Sequence, residues 1–62
     1  MTLADAMITA TAHSCDMYWD AARSQWVIAP ISYDADSCAL SNAELLALTP
    51  EAFVRDYIPE RG

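Results

Sequence analysis

Met17-Tyr18-Trp19-Asp20-Ala21-Ala22-Arg23-Ser24-Gln25-Trp26-Val27-Ile28 is the stretch that decides the fold. Two short runs rich in aromatic and β-branched residues flank a small, polar centre, which is the pattern of a β-hairpin. With Ala21 to Ser24 as the loop, Trp19 faces Trp26, Tyr18 faces Val27 and Met17 faces Ile28. Side chains alternate across a strand, so this register puts Met17, Trp19, Trp26 and Ile28 on one face of a sheet. A cross-strand aromatic pair contributes roughly 0.2–1 kcal/mol. The expected hairpin runs from Asp16 to Ala29, with both indole rings on the face that helices cover.

Downstream, Pro30 ends the second strand or confines it to an edge. Ile31 to Ala39 is mixed, and Asp34-Ala35-Asp36-Ser37 reads as a turn. Ser41-Asn42-Ala43-Glu44 matches a capping box, with Ser41 as N-cap and Glu44 reaching back. Leu45, Leu46 and Leu48 supply the apolar face of that helix. Thr49-Pro50-Glu51 starts another: Thr49 caps, Pro50 takes the first helical position and Glu51 meets the positive end of the dipole. Phe53, Val54, Tyr57 and Ile58 form its core stripe, and Glu51 is spaced to pair with Arg55. Pro59 stops it, and the tail Glu60-Arg61-Gly62 is expected to fray.

Upstream, two patterns compete. Leu3, Ala6, Met7 and Ala10 recur at helical spacing, and Thr2 with Asp5 resembles a weak cap. Ile8, Thr9 and Thr11 are β-branched and favour a strand. The strand over residues 7–12 is the reading adopted. The fold expected is therefore α+β: a small antiparallel meander of two to three strands, followed by two short helices packed on one face.

A chain of 62 residues is one domain, spanning 1–62. It buries only ~60% of its unfolded surface, so its core is thin. The chain carries nine Asp and Glu against three cationic residues, Arg23, Arg55 and Arg61, for a net charge of −6. Direct binding to nucleic acid needs several cations to displace counterions, and this chain lacks them. Its field repels DNA, RNA and anionic lipid and attracts a basic protein surface. Acidity of this kind also simply keeps a small protein in solution, and by itself it names no target. No signal-peptide pattern is visible, and no apolar run approaches the ~20 residues that span a bilayer. A cytoplasmic protein is expected, with Cys15 and Cys38 as free thiols; a disulfide between them stays open because small domains gain from a staple.

The sequence offers little for chemistry. His13, Cys15 and Cys38, with Asp16 as a fourth ligand, match no common zinc spacing and read better as a turn histidine and two half-buried thiols. His13 and Cys15 share a strand face but lack an orienting group, an oxyanion site and a pocket. Asp34-x-Asp36 opens like a calcium loop, yet Ala39 stands where glycine is required and Leu45 where glutamate is required. No cofactor, metal or catalytic residue is assigned, and an enzyme is not expected. The candidate contact residues are the turn and helix-start acids Asp16, Asp20, Asp34, Asp36 and Glu44, with Tyr18, Trp19 and Tyr33 beside them. Tyrosine and tryptophan are enriched at binding hot spots, though they also fill small cores; Trp26 reads as core and Trp19 as either. Turns of a meander are expected to gather the acids into one patch at one end of the sheet.

As a type, the chain resembles the small acidic anti-CRISPR proteins that phages encode against host defences. The resemblance covers the whole chain and rests on its length, its negative balance, its lack of a catalytic motif and its compact α+β pattern. It carries over no individual residue. It implies a non-enzymatic inhibitor that binds a basic surface of a nucleic-acid-handling complex, such as a CRISPR effector, in the host cytoplasm. Two other readings stand beside it. One is a small regulatory or structural subunit, antitoxin-like or from phage assembly, that needs an obligate protein partner. The other is a redox or metal module built on Cys15 and Cys38.

Overall fold

The computed structural model describes residues 1–60, so the fraying expected of Glu60-Arg61-Gly62 lies, beyond Glu60, outside the described residues. The chain runs α1 (Leu3–Ala12), β1 (Cys15–Asp20), β2 (Gln25–Pro30), β3 (Cys38–Leu40), α2 (Asn42–Ala47) and α3 (Pro50–Tyr57). The strands form one antiparallel sheet in the order β1-β2-β3.

The hairpin has the expected register. Trp19 pairs with Trp26, Tyr18 with Val27 and Met17 with Ile28. The indole rings meet edge to face, with centroids 5.0 Å apart and planes at 63°. That geometry sets a positive ring edge on a negative ring face. Asp20 closes the loop as an Asx-turn, its Oδ1 accepting the amides of Ala22 (3.1 Å) and Arg23 (3.3 Å). Ser24 completes the loop in the left-handed region, at φ 54°. β3 adds the third strand, with Leu40 opposite Trp26 and Cys38 opposite Ile28.

Alternation divides the sheet into two faces. Cys15, Met17, Ile28 and Leu40 lie on the inner one and are buried together with Ala6 and Ala10 of α1, Leu45 of α2 and Phe53 of α3. α1 lies against β1 and α3, and α3 reaches β3. Trp26 is half-buried against this core and donates its Nε1–H to Asn42 Oδ1 at 3.4 Å, while Trp19 is at the rim, 44% exposed. Both rings share the inner face, but only Trp26 packs against the core.

Residues 7–12 are helical, which corrects the strand expected there. Thr2 caps α1 by accepting the Asp5 amide at 3.1 Å. The β-branched residues that suggested a strand do not bear on the core. Ile8 is 68% exposed, and the Thr9 hydroxyl donates to the Asp5 carbonyl one turn back at 2.8 Å. What α1 presents to the sheet is alanine, with Ala6 and Ala10 fully buried. Alanine is the strongest helix former and lets a helix approach closely, but it leaves no bulky stripe to read. Ser14, at φ 60°, turns the chain from α1 into β1.

The two later helices begin as expected. Ser41 and Glu44 form a full capping box: Glu44 N–H donates to Ser41 Oγ (3.1 Å) and Ser41 N–H to Glu44 Oε1 (2.8 Å). Thr49 caps α3 through the Ala52 amide at 3.2 Å, ahead of Pro50. Arg55 does not pair with Glu51. Its guanidinium grips the adjacent Asp56 with two bonds of 3.0 Å, Nε to Oδ1 and Nη2 to Oδ2. The Met1 ammonium closes α2, donating to the carbonyls of Leu48 (2.6 Å), Leu46 (3.3 Å) and Leu45 (3.4 Å). A cation there complements the negative end of the helix dipole.

Candidate protein-docking surface

All three helices contribute buried residues to the inner face of the sheet, and the outer face carries Asp16, Tyr18, Asp20, Gln25, Val27, Ala29 and Ala39. Asp16, Tyr18 and Asp20 alternate along β1, so the two carboxylates flank the tyrosine, ~7 Å along the strand on either side. Tyr18 is 48% exposed. Across the sheet it meets Val27 and then Ala39, small side chains that leave the phenol ring standing proud. An aromatic ring between two carboxylates suits a cationic side chain, which stacks on the ring and pairs with either acid.

The acids do not gather into one patch. In a meander, successive connections fall at opposite ends of the sheet. The 21–24 turn, with Asp20, is at one end, and so is the start of α2, with Glu44. The 31–37 connection, with exposed Asp34 and Asp36, is at the other, beside the start of β1 and Asp16. Asp16 and Asp20 themselves stand ~13 Å apart. What joins the two ends is the outer face, with Tyr18 midway along it.

Several candidates have structural duties. Glu44 closes the capping box, and its hydrogen bonds with Ser41 hold its carboxyl below the usual range. Asp20 holds the hairpin loop. Asp16 Oδ1 accepts the Met17 amide at 3.0 Å. Tyr33 is half-buried; its hydroxyl donates to the Pro59 carbonyl at 2.7 Å and lies 3.1 Å from Cys15 Sγ. It ties the end of the chain to β1 and belongs less to a contact surface than its residue type suggested.

The cysteines are free. β2 separates β1 from β3, which puts them about 10 Å apart laterally, beyond the roughly 7 Å Cα separation that a disulfide spans. Burial pushes the Cys38 thiol up, with Cys15 and Asp36 adding to it, so it is not a poised thiolate. Cys15 Sγ contacts the His13 carbonyl at 3.5 Å. Among the described residues, no group of three or more His, Cys, Asp and Glu side chains is placed to hold a metal ion. A shallow concavity on α3 is lined by Pro50, Glu51, Val54 and Arg55, all from one helix. No helix among the described residues is long and apolar enough to cross a membrane.

One surface escaped the sequence. Met7 and Ile8 stand outward on α1, 38% and 68% exposed, because Ala6 and Ala10 occupy the inward positions. Helical spacing that included Ala6 and Ala10 was the signal that could have found it.

Comparison with protein-family models, with curated proteins and with solved structures finds no match to this chain.

Proposed function

We propose that this chain is a non-enzymatic protein-binding inhibitor of the anti-CRISPR type, which docks its outer sheet face on a basic, nucleic-acid-binding surface of a host defence complex. The observation that carries this reading is the row Asp16–Tyr18–Asp20 on the sheet face opposite the helices, in a chain of net charge −6. A surface needs no cleft to compete with nucleic acid. It has to present negative charge and an anchor, and Tyr18 is the anchor. The partner presents arginine or lysine, and the protein itself does not bind nucleic acid.

The test is inhibition of target-DNA binding across a panel of purified, guide-loaded CRISPR effector complexes. One or more members should lose DNA binding when the protein is added, with fast association that slows as salt rises. Tyr18→Ala should weaken binding by ~2 kcal/mol or more, the scale of a hot-spot residue. A panel in which no member is bound would reject the effector reading.

A second reading, a small subunit with an obligate protein partner, draws on Met7 and Ile8 of α1 and on Leu46, which is 60% exposed. It uses the helices in place of the sheet. It predicts that the isolated chain is marginally stable and gains stability only when that partner is added.

A further inference from the structure

Tyr18 is half-exposed on the outer sheet face. Val27 is its cross-strand partner, Ala39 follows on β3, and Ala29 and Gln25 are its diagonal neighbours on β2. None of these four is aromatic or charged, so the sheet itself offers the ring neither a stacking partner nor a cation. The flanking carboxylates are oriented and unpaired. Asp16 uses Oδ1 to accept the Met17 amide at 3.0 Å, and Asp20 uses Oδ1 for the amides of Ala22 and Arg23. Each acid is thus held by one oxygen, which leaves Oδ2 for another donor. Among the described residues the one ion pair joins Arg55 to Asp56, so no cation of this chain answers either acid.

The two biological cations do not fit this arrangement equally. A guanidinium stacks flat on an aromatic ring and keeps its N–H donors in its own plane, directed outward past the ring edge. On Tyr18 those donors run toward carboxylates that stand about 7 Å along the strand on either side. An ammonium is a compact, strongly hydrated point charge with no plane to match the ring. It meets the ring or one acid, and keeps more of its water.

We infer that the outer face selects arginine over lysine, and that its occupant is an arginine-bearing protein segment whose guanidinium stacks on Tyr18 and donates to Asp16 or Asp20. The inference rests on the reading of this face as the docking surface, and it narrows the partner's basic surface to one built on arginine.

The experiment titrates the labelled protein with an oligoarginine peptide and with an oligolysine peptide of equal length and charge, at one salt concentration. The oligoarginine should bind about threefold tighter or more, the scale of a cation on an exposed aromatic ring. It alone should strongly shift the Tyr18 ring resonances. Tyr18→Phe keeps the ring and should keep the preference. Tyr18→Val, a strand-compatible change on an exposed face, should abolish it. Asp16→Asn combined with Asp20→Asn should weaken oligoarginine binding more than the same charge change made at Asp34 and Asp36. Equal affinity for the two peptides overturns the inference, as does an arginine preference that survives in Tyr18→Val. If Tyr18→Val loses the fold, the ring resonances of the unaltered protein decide, and their staying in place with oligoarginine overturns the inference too. Equal affinity would leave the docking of a basic surface standing. An intact, Tyr18-dependent arginine preference with no effector complex bound in the inhibition panel would support the inference and reject the effector reading alone.

Discussion

Ser14 and Ser24 do the work usually given to glycine. Both sit in the left-handed region, at φ 60° and 54°, in a sequence whose one glycine is at position 62. A residue with a Cβ pays roughly 1–2 kcal/mol in that region. Ser24→Gly should therefore raise stability by about 0.5–1 kcal/mol net of glycine's greater freedom in the unfolded chain, read as a shifted urea midpoint at unchanged slope. Glu44 gives a second residue-scale test. Its carboxyl is held low by the Ser41 hydrogen bonds, so the ionised form is favoured in the folded state. Its contribution is present above the ordinary carboxylate range and is lost as pH falls through the lowered folded value. Glu44→Gln should flatten that part of the melting-temperature profile, leaving the two proteins more alike at acid pH than at neutral pH. Both caps were legible in the sequence, because Ser-x-x-Glu and Thr-Pro-Glu are local patterns whose partners are three residues away. The Asp16–Met17 bond was not, since it depends on which side of β1 faces β2. Nor was the role of Tyr33, whose partners include Cys15 and Pro59, both far from it in sequence.

Among the elements, the hairpin was the most legible and α1 the least. Matched alternation around Ala21–Ser24 fixed every pair from Met17–Ile28 to Asp20–Gln25. In α1 the bulky residues Met7 and Ile8 face outward and the alanines face in, which reverses the usual relation between size and burial. The same geometry revises the energetics of the tryptophans. Trp26 is half-buried, so Trp26→Ala should cost ~2–3 kcal/mol, short of the 3–5 kcal/mol range for a fully enclosed ring. Phe53, fully buried between α3 and the sheet, should cost more, ~3–5 kcal/mol on truncation to alanine. Trp19→Ala should cost least of the three. Chemical denaturation of the three variants checks the order Phe53 above Trp26 above Trp19. A larger loss at Trp19 than at Trp26 would mean that the rim ring supports the fold and is not available to a partner.

For the molecule as a whole, the sequence carried the charge and the fold class but not the layout of the acids. Their layout depends on topology: one connection of a meander goes up and the next goes down, so Asp20 and Asp36 part company although each lies in a turn. The surface that spans the two ends is the outer face of the sheet, the face proposed to meet a basic partner. The direct test is amide chemical-shift mapping of the labelled protein, titrated with any effector complex that the inhibition panel shows to be bound. Shifts should concentrate at Asp16, Tyr18, Asp20, Val27 and Ala39 and diminish as salt is raised. Shifts confined to Met7, Ile8 and the rest of α1, with the outer sheet face unchanged, would contradict it.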